Sequence, residues 1–187
     1  TYPTDIRVAK EADALLEAGH EVVLLCYRGE EEPAREVIDG IEVFRRPLQD
    51  SHRGLQHLPK GGRYLLTRIH RPWLSAIETV VREEGIDVLH SHDLPLVKTA
   101  LRAGDRHDIP VVADLHENWP EAVRQYRTID DWRQYVRQPT YFLSRVATPI
   151  SRLKRLERHC VLRADRVITV AEEAKRHYVT DCGADTD

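Results

Sequence analysis

Val111 to Glu121 reads VVADLHENWPE. Its first five residues form a short, mostly apolar run of the kind that is buried on both faces of a parallel sheet. The chain then turns polar at Asp114-Leu115-His116-Glu117-Asn118, and a helical pattern begins at Trp119. A buried strand that ends in histidine and acids, followed by a helix, is half of a βαβ unit. Residues just beyond such a strand end lie where open α/β sheets bind their ligands.

The same alternation continues on both sides. Upstream, Asp87 to Ser91 reads as a short strand and Leu96 to Arg106 as the helix that returns the chain to Val111. Downstream, helical pattern covers about 119–137 and 141–163, interrupted by Pro139 and Pro149. Arg166 to Val170 is the last strand, and Ala171 to Val179 the last helix. Nearer the start, Ile6, Ala9, Ala12, Leu15 and Leu16 recur at spacings of three and four, which predicts a helix over 5–18. Gly19 stands where a left-handed C′ residue belongs. Glu21 to Tyr27 predicts a buried strand, and Ile41 to Arg46 a more alternating one near an edge. Residues 47–62 are expected to be a long loop, and 64–84 a helix that Pro72 kinks or divides and Gly85 stops. The four strands at Val22–Cys26, Val88–His90, Val111–Leu115 and Val167–Val170 are expected to form one parallel sheet. The fold class is therefore α/β: a Rossmann-like, doubly wound parallel sheet with helices on both faces.

Composition sets the outer limits. The 187 residues suit one domain, and 41% hydrophobic with 32% charged residues is a globular balance. The longest apolar run, Val22 to Tyr27, is far short of the roughly twenty residues that span a bilayer. A net charge of −3 gives no general attraction for nucleic acid. Cys26, Cys160 and Cys182 are odd in number and widely spaced, which fits free thiols in a reducing compartment and so a cytoplasmic location. Methionine is absent altogether, which leads us to expect a fragment of a longer chain.

Two strand ends carry polar residues that packing does not require: His90-Ser91-His92-Asp93, and Asp114 to Asn118. Strand alternation puts His90 and His92 on one face, and two parallel strands bring both clusters to the same side of the sheet. Convergence on one cleft is the functional reading; capping of the following helices is the alternative. His-x-His beside acids also admits a metal, so a metal-dependent hydrolase using His90, His92, Asp93 and His116 is a competing reading. A non-catalytic α/β binding module is another.

Taken in order, the local patterns resemble the N-terminal domain of retaining glycosyltransferases of family 4, with the two-Rossmann-domain GT-B architecture. The residues that carry the resemblance are Pro3 to Val8 leading into Glu11-Ala12, LLEAGHEV at 15–22, DVLHSHD at 87–93, VVADLHENWPE at 111–121 and ADRVITVAE at 164–172. The resemblance implies a single domain over 1–187 that forms the acceptor-side half of such an enzyme. The family's first strand and its C-terminal donor-binding domain would then lie outside this chain, and the fragment alone would be inactive. It further implies transfer of a sugar from a nucleotide-sugar donor to a glycan, lipid-linked or small-molecule acceptor. No cofactor and no bound metal are expected. His116 matches the family position facing the transferred sugar and is the catalytic candidate. His92 and Asp93 match the neighbouring strand end and, with Glu117 and Asn118, are the substrate-binding candidates; Arg7, in the first helical turn, is a candidate for the diphosphate or, equally, for a surface salt bridge to a nearby acid. The Arg145–Arg166 stretch, basic with apolar positions near helical spacing, reads either as a peripheral contact with the inner face of a membrane or as an ordinary helix with a solvated basic face.

Overall fold

The computed structural model describes residues 2–47, 64–129, 146 and 148–185. The loop expected at 47–62, the continuation of helical pattern over 130–137, and Arg145 fall largely outside that set. The chain divides into two compact units, 1–57 and 58–187.

In the first unit, helix α1 (Ile6–Glu17) is set by its ends. The Asp5 carboxylate accepts the Arg7 N–H as N-cap. At the far end Gly19, at φ +86°, donates to Leu16 O and His20 donates to Leu15 O. These two bonds are a Schellman motif, which only a residue tolerant of positive φ completes cheaply. Three strands follow: β1 (Val23–Arg28), β2 (Arg35–Ile38) and β3 (Ile41–Pro47), in the order β1-β3-β2. β1 runs parallel to β3, and β2 antiparallel. Ile41 and Val43 are fully buried and pack with Tyr2, Ala12 and the inward side of α1.

Three expectations change here. β3 is the central strand of its ladder, not an edge. Its alternation reflects burial of one face only, with Ile41, Val43 and Arg45 inward. β1 is only partly buried along its whole length, because β3 is its one ladder neighbour among the described residues. β2 is additional: it forms a hairpin with β3 through Asp39 and Gly40, whose φ values of +50° and +86° are those of a two-residue primed turn. Arg45, buried on the inward face, is held by Glu32 at 3.4 Å, by Glu36 and by Tyr2 O at 3.2 Å.

The second unit carries α2 (Arg71–Glu84), β4 (Leu89–His92), α3 (Leu94–His107), β5 (Val111–Leu115), α4 (Trp119–Ile129), α5 (Ile150–Arg163), β6 (Arg166–Thr169) and α6 (Glu172–His177), which runs into a π turn over Tyr178–Cys182. The helical pattern over 64–84 is divided, not kinked: residues 64–67 are helical and α2 begins only at Arg71. The chain breaks at Arg68, φ +58°, and Pro72 sits in the first turn of α2, where its missing N–H costs nothing. The sheet is parallel in the order β4-β5-β6. The expected single sheet of four strands is thus corrected. Three of the four form it, while β1 pairs with β3 in the first unit.

The core of this unit is the seam between α3, β5 and α5. Leu94, Val97, Ala100, Val111, Ala113, Leu115, Leu156, Cys160 and Val161 are all buried there. Gly104 allows α3 to lie close on β5: a Cβ at that position would stand 2.6 Å from Val111 Cγ2 and 2.8 Å from Ile109 O. In α5, Leu153, Leu156, Glu157, Cys160 and Val161 face inward while Lys154, Arg155 and Arg158 face solvent. This is the ordinary amphipathic stripe. No helix among the described residues is long and apolar enough to cross a membrane.

Candidate active site

Ladder register builds the site. His92 on β4 lies directly beside Asp114 on β5, and His90 sits two residues earlier on the same face. The side chains then close on one another. Asp114 is only 1% exposed, and three imidazole nitrogens surround its carboxylate: His90 Nε2 at 3.5 Å and His92 Nδ1 at 3.4 Å from Oδ2, and His116 Nδ1 at 3.3 Å from Oδ1. His90 stacks on His92 with ring centroids 4.7 Å apart. His92 stacks in turn on His116 at 5.5 Å, with Nδ1 of His92 3.2 Å from Nε2 of His116.

The contacts to Asp114 are a little longer than well-formed hydrogen bonds, so the attraction is chiefly electrostatic. Burial acts to raise the Asp114 carboxyl. The approach of His90 and the positive character of His116 and His92 outweigh it and hold the carboxyl below its ordinary range. His92 is pushed the other way: burial first, then His90, lower its pKa, with Asp114 opposing them. Asp114 is therefore an anionic hub that orients three imidazoles. The accessible edge belongs to His90 and His92, with side chains 26% and 24% exposed, whereas His116 is 7% exposed and lies behind His92.

Asp93 closes β4 and opens α3. Its N–H donates to Asp114 O at 3.0 Å, and its backbone is held at φ 63°, ψ 136°. That combination is strained for a residue with a side chain, and such strain concentrates at functional sites. Its carboxylate makes no capping hydrogen bond to α3.

The remaining sequence candidates are placed as follows. Glu117 is exposed, and its carbonyl accepts from the Tyr178 hydroxyl at 3.4 Å. Asn118 is a helix cap: its Oδ1 accepts the Glu121 N–H at 3.0 Å at the start of α4, and its Nδ2 lies 3.2 Å from His177 Nε2. Arg7, in the first unit, folds back onto Asp5 at 3.2 Å as a half-exposed surface ion pair.

A second cluster has no signal in the linear sequence. His177 bridges Glu157, at 3.2 Å from Nε2, and Asp181, at 2.8 Å from Nδ1; Cys182 Sγ lies 3.9 Å from the same Glu157 oxygen. Burial raises the Glu157 carboxyl, with His177 opposing, and it pushes the Cys182 thiol up to about 11. The ligand-capable atoms of Glu157, His177 and Cys182 lie within 4.8 Å of one another, as do those of His90, His92 and Asp114. Either set has the atom types that hold a zinc-like cation.

The parallel β4-β5-β6 sheet with its helices matches a Rossmann-like half of a GT-B fold. A glycosyl transferase 4-like domain matches residues 5–187, and the chain belongs to that family. Among solved structures it is similar to sucrose-phosphate synthase from Thermosynechococcus elongatus, at 14% identity and a TM-score of 0.59, a likeness of fold. The match covers 92% of this chain and 38% of that one, so the chain spans well under half the length of that enzyme. No curated protein matches it in sequence.

Proposed function

We propose that residues 1–187 are the acceptor-side half of a retaining glycosyltransferase that takes its sugar from a nucleotide-sugar donor. The observation that carries this reading is the set of three stacked imidazoles arranged about buried Asp114 at the carboxyl ends of β4 and β5. Oriented imidazoles suit hydrogen bonding to sugar hydroxyls, and an anionic carboxylate behind them suits the positive charge that develops at an anomeric carbon. His92 meets substrate first. His116, aligned by Asp114 and in contact with His92, is the catalytic group, and Asp93 completes the wall. Glu117 and Arg7 are assigned outer contacts with substrate, and Asn118 fixes the start of α4. The acceptor is a glycan, a lipid-linked sugar or a small molecule, and the reaction needs no resident metal. The protein works in the cytoplasm or at the inner membrane face, and this chain alone does not turn over the donor.

The test uses the protein together with its donor-binding domain. Nucleoside diphosphate release is followed across a panel of nucleotide sugars, and product anomeric configuration is read by NMR. His116→Ala should lower kcat a hundredfold or more, about 3 kcal/mol, with a smaller change in KM. His116→Gln, which keeps the volume, separates chemistry from packing. Full activity in both variants removes the assignment.

The proximity of His90, His92 and Asp114 ligand atoms favours one second reading, a metal-dependent hydrolase. Stoichiometric zinc or manganese in the purified protein, with activity lost on chelation, would replace the transferase reading.

A further inference from the structure

Arg68 is a buried cation with no carboxylate partner among the described residues. It sits at the break before α2, anchored by its N–H to Tyr64 O at 2.7 Å, and nearby His70 donates its N–H to Thr99 of α3 at 3.0 Å. Its guanidinium carbon lies 5.6 Å from the centroid of the Tyr64 ring. The residue is 9% exposed, and among the described residues its Nε and Nη2 have no hydrogen-bond partner. Burying a charge with no counter-ion costs several kcal/mol, which the contact with Tyr64 offsets only in part. Burial lowers the Arg68 pKa, and the fields of Arg152 and Arg127 lower it further against the opposing effect of Tyr64.

The space in front of Arg68 shows what would relieve this. A cleft of about 630 Å³ opens between Arg68, α3 and α5, lined by Arg68, Lys98, Arg152, Arg155 and His159. No acidic residue stands among its described lining residues. Arg152 is fixed in place by donating to Leu66 O at 2.7 Å. Leu66, Pro149 and Leu156 supply apolar wall, and the cleft is larger than a bare phosphate needs. A lining of guanidinium and ammonium groups with an apolar side is the chemistry that recognises an organic phosphate.

We propose that this cleft is a binding site for the phosphate group of an organic ligand, with Arg68 as the buried anchor and Lys98, Arg152 and Arg155 as the surrounding cations. None of the histidine-cluster residues lines it, and the proposal stands whether or not the transferase reading does. The phosphate can belong to a soluble metabolite or to a lipid headgroup, and both present the same group to Arg68.

The test is binding by the intact protein. Titration calorimetry with inorganic pyrophosphate should show saturable binding that weakens as sodium chloride rises. Arg68→Met, which keeps the length and removes the charge, should weaken binding at least tenfold, and Arg155→Gln should weaken it less. The same Arg68→Met protein, free of ligand, should be as stable to urea as the parent or more so, because an unpaired buried charge has been removed. Cosedimentation then separates the two sources. Capture by phosphatidylglycerol vesicles but not phosphatidylcholine vesicles, lost in Arg68→Met, assigns the phosphate to a headgroup; pyrophosphate binding without vesicle capture assigns it to a soluble ligand. Failure of the parent protein to bind either probe overturns the proposal, as does equal binding by Arg68→Met. A marked loss of stability in that variant would make Arg68 a structural residue and overturn it too.

Discussion

Replacing Asp114 by asparagine keeps the volume at the centre of the histidine cluster and removes its charge. At 3.4 Å and an effective dielectric of about 20, a fully charged His92–Asp114 pair would be worth roughly 5 kcal/mol, an upper limit reached only with a protonated ring. At pH 7.5 His92 is neutral in the folded and unfolded chains alike, since its folded pKa lies below the ordinary 6.5. The loss there is that of buried polar contacts, about 1–2 kcal/mol. Acid changes the balance. A group whose folded pKa is depressed contributes stability that is complete above its unfolded pKa and is lost as pH falls towards the folded value. Asp114 opposes the depression of His92, so removing it lowers the folded pKa further and widens the window of loss. One imidazole barred from protonation at pH 5.5 costs about 1.4 kcal/mol against an unfolded value near 6.5. The destabilisation caused by Asp114→Asn should therefore be larger at pH 5.5 than at pH 7.5 by a fraction of that amount up to the whole. Urea denaturation of both proteins at the two pH values, with matched m values, measures it. A destabilisation that is the same at both, or smaller in acid, would refute the idea that Asp114 is the hub of the cluster.

Two substitutions probe the scaffold. Gly104→Ala should destabilise the second unit by about 1–3 kcal/mol through overpacking, despite the better helix propensity of alanine, because the new Cβ would meet Ile109 backbone at 2.8 Å; a rise in Tm would show that α3 can retreat from β5 freely. Asn118→Ala should cost about 1 kcal/mol by removing the α4 cap, and unchanged denaturation midpoints would return Asn118 to a purely substrate-facing role.

Elements whose causes are local were legible in the sequence. β5 occupies Val111 to Leu115 as its composition predicts, and α1 ends at the Schellman glycine. The β2–β3 hairpin escapes the sequence reading, although Asp39-Gly40 is a strong primed-turn signal. It is obscured by the charged run before it, whose strand buries little. Partner choice was not legible. Whether β1 joins β5's sheet or pairs with β3 depends on contacts that no spacing encodes. The same holds for the site. The two polar strand ends point to a site, and His90 and His92 do share a face. Asp114, however, reads only as one member of a polar strand end until register places it beside His92. Glu157, His177 and Cys182 meet only because α5 packs under the π turn, and Arg68 becomes a site only because α3 and α5 close around it.

The strained backbone of Asp93 bears on how this domain could be made more robust. Glycine would adopt φ 63°, ψ 136° with little penalty, and relief of about 1–3 kcal/mol is available there. A stability screen blind to activity would therefore favour Asp93→Gly early. It would discard a carboxylate next to His92 in the process. Selection for thermal resistance and selection for turnover should diverge at this position first, and the residue that survives under each regime reports which one the natural protein has been answering to.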